Sequence, residues 1–408
     1  MPGFQKNFIL TNLRFGQVSF RTRLLLAGII ASAVVLRVVF ALITPEYMDE
    51  AFGRIRPFND EYAHLKYVQY LIKYQRMPTN TKIVDLQDPV AWIFNEFEYT
   101  QPPLYYVLNI PFALLPKPML FCRLFSVLLS SLTVILGISA TITLFKDRDL
   151  AAVVAAILLG FHPILLRIGS SVGNDNLAWL ISMILLARYL NGRLWDPPWL
   201  SGILIGLGLL TKFSFMIWIP FLLITALLSS HRQVISRLLL DFLSIVVMIL
   251  LVCGWWFVRN HRVYGDWTGM VGASSPYLIT GSLSSIERFI NSAVRFTFFP
   301  IAEEPVKWMG IATGISIFLI ISFLLQYETI KKEFSDSSLF KGLVIFSILN
   351  VFLFIAANLR NIFTETRLLF VGLLPLSAIV VACLLRTFQK QAIAASVLMN
   401  LIYPLSLW

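Results

Sequence analysis

The acidic pair Asp60-Glu61, followed by His64, combines residue types that hold and transfer protons. Apolar and aromatic residues recur after it and predict a helix from Asp60 to about Tyr74 that lies along a membrane surface. Asp60 and His64 are four residues apart, so they share a face of that helix. A carboxylate there can act as a general base. Alternatively, Asn59 only caps the helix, and the helix dipole stabilises the two carboxylates in its first turn.

The spacing Asp60-Glu61-x-x-His64 is similar to the zinc motif HExxH. An aspartate occupies the first ligand position, however, and no third ligand is apparent. This departure argues against a metalloprotease. Carboxylates are also the ligands that hard divalent cations prefer. A divalent cation at Asp60, Glu61 and His64 therefore stays open, and no cofactor is certain.

Two further polar motifs border apolar segments. The first, QPPLYY, begins at Gln101, and its two prolines preset an extended entry to the next apolar segment, as in an ordinary membrane-entry turn. The second, SVGNDN, contains Asp175 in a short loop between two apolar runs. The Asp175 carboxylate either caps the following helix or is a second acidic site residue that faces the first.

Several basic residues lie at the edges of apolar segments or within them. Lys212 either snorkels to the membrane surface or holds a lipid phosphate there. Arg37, in the first apolar run, is costly unless it is paired or hydrated. Arg259 follows a tryptophan pair that marks a membrane interface, where an anionic head group would lie. Arg367 begins a later apolar run. An ordinary ion pair explains each arginine, taken alone, equally well.

The composition excludes a soluble enzyme. Of 408 residues, 58% are hydrophobic and only 13% are charged, whereas soluble domains carry ~25% charged residues. The net charge of +11 does not indicate a nucleic-acid binder, because membrane proteins concentrate Lys and Arg in cytoplasmic loops. We therefore expect an all-α, polytopic transmembrane protein.

About eleven apolar runs approach the ~20 residues that a bilayer-crossing helix needs. They are roughly Leu24–Ile43, Met119–Phe145, Leu150–Ile168, Leu177–Leu190, Leu200–Leu210, Phe213–Leu228, Leu238–Val258, Met309–Leu325, Leu339–Ala356, Leu368–Leu385 and Ala392–Leu407. The run Leu104–Leu115 contains Pro111 and favours a re-entrant or interfacial segment. Three glycines should allow close helix packing: Gly202, Gly206 and Gly208.

The distribution of Lys and Arg predicts a cytoplasmic N-terminus and a multi-pass protein of the plasma or inner membrane. Residues 1–408 then form one integral membrane domain with two long extracytoplasmic loops, at about residues 44–103 and 259–306. The first loop holds nine of the 22 carboxylates. Such a loop is either a solvated surface or the place where chemistry occurs.

The order of these motifs resembles the GT-C superfamily of polytopic glycosyltransferases, especially bacterial proteins similar to protein O-mannosyltransferases and the lipid A aminoarabinose transferase. The resemblance covers roughly residues 24–270, with a weaker late match at TRLLF. It is carried by Arg37, Asp60-Glu61, the QPPLYY motif, Asn174-Asp175, the GLLTK motif that ends in Lys212, and Arg259-Asn260.

The resemblance implies an inverting transfer of a sugar from a polyprenyl-phosphate-linked donor to a lipid, glycan or protein acceptor on the extracytoplasmic face. It gives Asp60 the role of base, Glu61 a supporting role and Asp175 that of a second acid. It implies that the remaining matched positions bind substrate: Arg37, His64, Gln101, Tyr105, Lys212, Arg259, Asn260 and Arg367. The physics agrees, because an inverting displacement needs a base for the acceptor and positive charge for the leaving phosphate.

The sequence departs from the mannosyltransferases because the chain ends at Trp408, and we expect no large soluble C-terminal domain. Neither the sugar nor the acceptor is named by these patterns. The alternative function is a transporter or flippase of a lipid-linked saccharide. Such a protein should show repeated halves and a site near the midplane of the membrane, and neither pattern is visible.

Overall fold

The computed structural model describes residues 14–44, 61–79, 100–228, 235–269, 332 and 337–360. These residues form helices and their connections, which agrees with the all-α prediction. The helices, in chain order, are α1 (Phe20–Ile43), α2 (Glu61–Tyr74), α3 (Leu104–Ala113), α4 (Pro118–Leu144), α5 (Arg148–Phe161), α6 (Pro163–Gly169), α7 (Asp175–Leu190), α8 (Pro198–Leu209), α9 (Trp218–Leu228), α10 (Ile235–Tyr264) and α11 (Ser337–Arg360). Short 3₁₀ helices cover Arg14–Gln17 and Phe213–Ile217.

Within the described residues, three helices are long and apolar enough to cross a membrane: Phe20–Ile43, Pro118–Leu144 and Arg237–Tyr264. The count of eleven spans is therefore not confirmed. Helix α8 has 12 residues, which gives a length of ~18 Å at 1.5 Å per residue, well short of a bilayer. Three expected spans lie outside the described residues: Met309–Leu325, Leu368–Leu385 and Ala392–Leu407.

The expected span Leu150–Ile168 consists of two helices, because the first helix ends before His162 and a second begins at Pro163. Proline has no N–H to donate, and its ring disfavours helical geometry in the residue before it. The buried Arg37 of α1 compensates for the lost bonds. Its guanidinium donates to the Gly160 carbonyl at 2.7 Å and to the Leu159 carbonyl at 3.2 Å.

Helix α4 lies at the centre of the described bundle and packs against α1, α3, α5 and α7. Its buried face is rich in small residues, including Ser126, Ser130, Thr133 and Gly137. Small side chains let neighbouring helices approach closely without burying large polar groups. This helix therefore connects the N-terminal helices with those that follow residue 145.

Close packing of α8 on α10 confirms the predicted role of two glycines. A Cβ atom at Gly202 would lie 2.6 Å from the Ile245 carbonyl oxygen, and one at Gly206 would lie 2.8 Å from the Val252 Cβ atom. Neither position can hold a larger side chain without separating the helices. The two helices therefore form one rigid pair whose end carries the turn at Lys212.

The bundle has two distinct ends. At one, the backbone of Ser19 before α1 donates to Asp149 at the start of α5, and Arg14 donates to Asn191 after α7. At the other, called here the α2 end, the end of α1 meets the start of α2. The backbone N–H of Leu104 also donates to Leu210 there at 2.9 Å. Most of the polar side chains singled out in the sequence lie at the α2 end.

Candidate functional site

A buried ion pair joins the first residue of α2 to α4. The Arg123 guanidinium donates to both carboxylate oxygens of Glu61, each at 2.7 Å. Both side chains are almost fully enclosed, with 1% and 0% of their surface exposed. Two parallel N–H···O bonds fix the mutual orientation of the groups as well as their distance. Glu61 therefore occupies a defined position at the α2 end.

Three consecutive residues of the loop before α7 each bind a residue singled out in the sequence. The bonds join Val172 N–H to Glu61 Oε1 at 2.8 Å, Gly173 N–H to the Tyr105 hydroxyl at 3.0 Å, and the Asn174 side-chain amide to Gln101 Oε1 at 3.0 Å. This loop, defined here as the amide loop (residues 172–174), gathers α2, the QPPLYY motif and the start of α7 into one cluster. Gln101, Glu61 and Tyr105 are thus brought together.

The aromatic residues of QPPLYY pack between α2 and α4. The Tyr105 hydroxyl bonds to Ser126 Oγ at 2.7 Å, and the Tyr106 hydroxyl bonds to His64 Nδ1 at 2.7 Å. The Tyr106 ring also stacks on Tyr67, with centroids 3.9 Å apart and planes 8° apart. Burial raises the pKa of Tyr67, so its hydroxyl keeps its proton and donates to the Gln101 carbonyl at 3.4 Å. His64 is therefore packed among these aromatic side chains.

Asp175 and Lys212 form a second buried ion pair. Asp175 is the first residue of α7, after Asn174 at the cap position, and Lys212 follows α8. The Asn174 amide also donates to the Thr211 carbonyl at 2.9 Å. The sequence left Asp175 either as a helix cap or as a second acidic site residue; its side chain pairs with Lys212, and its part in the reaction stays a prediction. The turn after α8 is thereby tied to the same loop that holds Glu61.

Arg259 and Asn260 lie on the last turns of α10, which continues to Tyr264. The Arg259 guanidinium donates to Asn260 Oδ1 at 2.9 Å and to the Pro78 carbonyl at 2.6 Å. It also lies 4.7 Å from the Trp256 ring centroid, within cation–π range. These contacts connect α10 with the segment after α2, so both residues border the cluster.

Arg37 contacts the end of α5 and not the cluster at the α2 end. Its guanidinium binds the carbonyls of Leu159 and Gly160, and only 1% of the side chain is exposed. The structure thus gives Arg37 a helix-supporting contact. Whether it also contacts a donor phosphate stays a prediction.

Two of the expected site residues, Asp60 and Arg367, lie outside the described residues. Among the described residues, no group of three or more His, Cys, Asp or Glu side chains is placed to hold a metal ion. Both Glu61 oxygens accept from N–H donors, and His64 Nδ1 bonds to Tyr106. The described members of the expected ligand set therefore have protein partners.

Sequence reasoning missed Arg123, which donates to both carboxylate oxygens of Glu61. The available signal was a cation near the start of the apolar run Met119–Phe145. A charged residue in a membrane segment is costly and generally marks a function or a specific partner. Its partner, Glu61, is 62 residues away in the chain.

Comparison with known families agrees with the sequence resemblance, while no curated protein matches the chain. The matched segment, residues 100–257, includes QPPLYY, Arg123, the amide loop and both partners of the Asp175–Lys212 pair. It also contains one helix apolar enough to cross a membrane, Pro118–Leu144, and most of a second, Arg237–Tyr264. Residues 100–257 match the family of dolichyl-phosphate-mannose-protein mannosyltransferases, so this segment of the chain is similar to a GT-C glycosyltransferase domain.

Proposed function

We propose that this protein is an inverting glycosyltransferase. It moves a sugar from a polyprenyl-phosphate donor to the hydroxyl group of a lipid, glycan or protein acceptor. The observation that carries the proposal is the polar cluster at the α2 end, within or beside the segment that matches the family. The cluster combines two buried carboxylate–cation pairs with the amide loop.

The reaction requires a base for the acceptor and positive charge near the leaving phosphate. In the proposal, Asp60 takes the proton from the acceptor hydroxyl. The acceptor oxygen then bonds to the anomeric carbon from the face opposite the phosphate. The bond between that carbon and the phosphate oxygen breaks, and polyprenyl phosphate leaves with the electron pair. Glu61, the next residue after Asp60, is held by Arg123, which supports a fixed place for the base.

The positive charge is proposed to come from Lys212 and Arg259, with Arg37 and Arg367 as further candidates. Lys212 is held beside Asp175, and Arg259 beside Asn260. Cations already held in place need little reorganisation when a phosphate arrives, which favours stabilisation of the developing charge. Gln101, Tyr105 and His64 belong to the same cluster and are proposed to shape the sugar or acceptor site.

We place the α2 end on the extracytoplasmic side of a plasma or inner membrane, with the N-terminus in the cytoplasm. The opposite end carries cations before α1, in its first turn, and around the α4–α5 and α7–α8 connections: Arg14, Arg21, Arg23, Lys146, Arg148 and Arg193. An excess of Lys and Arg in short loops is typical of the cytoplasmic side. This distribution supports the proposed orientation.

The test is a transfer assay with purified protein in lipid nanodiscs. A panel of radiolabelled polyprenyl-phosphate sugars, including the mannose compound, is supplied, and release of polyprenyl phosphate is measured with and without acceptor. The wild type should consume at least one donor. Asp60→Asn should lower turnover by about 10²–10⁴-fold, the usual contribution of a general base.

Glu46→Gln is the matched control, because it neutralises another carboxylate of the same expected loop. It should turn over at the wild-type rate. Equal turnover in Asp60→Asn and the wild type would remove Asp60 as the base. A wild type that consumes none of the donors, although the protein is folded, would overturn the transferase proposal itself.

A further inference from the structure

Both oxygens of the Glu61 carboxylate already accept from N–H donors. Arg123 donates to both of its oxygens, and Val172 N–H donates to Oε1 at 2.8 Å. The side chain is fully buried. Because both of its oxygens already accept from these donors, the carboxylate is poorly placed to act on a substrate directly. Its contacts are those of a group that holds a position.

Arg123 makes a second set of contacts on the opposite side. Its Nη1 atom donates to the Thr44 carbonyl at 2.7 Å and to the Ala41 carbonyl at 3.2 Å. These carbonyls belong to the last turn of α1, where helix carbonyls have no partner within the helix. One guanidinium therefore connects α4, the end of α1 and, through Glu61, the start of α2 and the amide loop.

A gain in folding stability does not explain why Glu61 and Arg123 form an ion pair. A buried ion pair costs so much desolvation that a well-packed apolar pair of similar volume often stabilises a fold equally well or better. An apolar pair, however, has no preferred direction. The planar guanidinium imposes one through its fixed fork of donors. The pair therefore fixes the relative orientation of the segments that it joins more than it stabilises the fold.

We infer that Arg123 is a positioning residue of the transfer reaction, acting through Glu61. It fixes Glu61, the first residue of α2 and the covalent neighbour of the proposed base, against the amide loop. This inference rests on the proposed function. It predicts that loss of the pair slows the chemical step, because a misplacement of about 1 Å can cost on the order of 100-fold in rate. Donor binding should change little.

The test is the double variant Glu61→Met/Arg123→Met, which replaces both charges by apolar side chains of similar length. We expect its unfolding temperature to stay close to that of the wild type. Turnover per folded protein should fall by roughly 10- to 100-fold, while the KM for the donor stays within about twofold. The single variants Arg123→Lys and Glu61→Asp keep both charges but disturb the two parallel N–H···O bonds. Each should also lower kcat while it leaves the KM for the donor nearly unchanged.

Arg188→Met is the matched control. Arg188 is also a buried arginine that holds backbone carbonyls, at Arg193, Asp196 and Pro197, but it lies at the opposite end of α7. Its loss should lower the unfolding temperature and leave turnover per folded protein unchanged. If the double variant does not fold, the two single variants decide. Wild-type kcat in the folded Glu61/Arg123 variants would make the pair purely structural and overturn the inference.

Hydrogen exchange of the peptide 61–74 supplies a readout that does not need activity. Exchange in this peptide should accelerate in the double variant, while the peptide around Arg188 is unaffected. Unchanged exchange at the start of α2 would overturn the inference even if the protein is an active transferase. If exchange accelerates in the double variant but the wild type consumes no donor, the pair orders the start of α2 and the proposed function is rejected.

Discussion

Lys212 and Asp175 lie 37 residues apart in the chain and form a buried ion pair between the turn after α8 and the first residue of α7. Only 11% and 2% of the two side-chain surfaces are exposed. An ion pair so enclosed is costly to break from one side, because the remaining charge has no water to solvate it. The pair thus ties the geometry of the α2 end to its stability.

Removal of Lys212 alone should strongly destabilise the protein. Lys212→Met leaves the Asp175 carboxylate buried without this partner, and we expect a loss of about 3–5 kcal/mol in the free energy of unfolding. The double variant Asp175→Leu/Lys212→Met should recover most of this loss. Thermal unfolding in nanodiscs measures both. Equal stability of Lys212→Met and the wild type would contradict the importance of the pair. Activity that stays low in the stable double variant would support a direct role for Lys212 or Asp175 in the reaction.

A methyl group at Gly208 should be destabilising. A Cβ atom there would lie 2.0 Å from Cδ1 and 2.5 Å from Cγ of the fully buried Phe215 ring. We expect Gly208→Ala to cost about 1–3 kcal/mol of unfolding free energy, as in an overpacked core. Because Gly208 also accepts the backbone N–H of Lys212 at 2.8 Å, transfer activity should fall with it.

Gly28→Ala is the control for this prediction. Nothing lies within 4 Å of a Cβ atom at Gly28, in the middle of α1. The substitution should be neutral or stabilise by roughly 0.5–1 kcal/mol, because alanine loses less conformational freedom in a helix. The two unfolding temperatures should therefore move in opposite directions. A shift of the same size and sign in both variants would show that the Phe215 contact is not decisive.

Arg259→Met should weaken donor binding if this arginine meets the donor phosphate. Charge-assisted hydrogen bonds contribute about 1.5–3 kcal/mol, so the KM for the polyprenyl-phosphate sugar should rise at least about tenfold. The exposed Arg262, three residues further along α10, provides the control. Arg262→Met should leave the KM nearly unchanged. A lower unfolding temperature with an unchanged KM in Arg259→Met would mean that Arg259 only joins α10 to Pro78.

The proposed orientation can be checked with single cysteines in a background without native cysteines. Gln69 is exposed on α2, and Arg193 is exposed at the opposite end of the bundle. In intact cells, a membrane-impermeant maleimide should label Gln69→Cys but not Arg193→Cys. Arg193→Cys should react only after the membrane is permeabilised. The reverse pattern would contradict a cytoplasmic N-terminus.

Helix positions were the most predictable part of the fold. The recurrence of apolar residues predicted a surface helix from Asp60 to about Tyr74, and the described helix runs from Glu61 to Tyr74. The run Leu104–Leu115 contains α3, a helix of 10 residues, and its re-entrant or interfacial placement stays a prediction. Length and mean hydropathy alone did not reveal the break at His162, because apolar residues continue on both sides of His162-Pro163. A single proline decided that outcome.

The members of the cluster were largely predictable, whereas their pairing was not. Glu61 and Asp175 were selected because carboxylates near a membrane are unusual. Each carboxylate turned out to have its own buried cation, Arg123 and Lys212. These partners depend on how α2, α4, α7 and α8 pack, and hydrophobic periodicity carries no information about contacts between distant segments. Arg123 could have been flagged as an intramembrane charge, but not assigned to Glu61.

The amide loop binds its neighbours partly through its backbone. Val172 and Gly173 contact Glu61 and Tyr105 with N–H groups that every residue except proline possesses. A Cβ atom at Gly173 would come no closer than 4.0 Å to the His64 ring. Alanine at Gly173 would therefore preserve the contact, and an alanine scan would pass over this position. Tolerance to substitution is thus a poor measure of what this loop does, and only proline removes the bonds themselves.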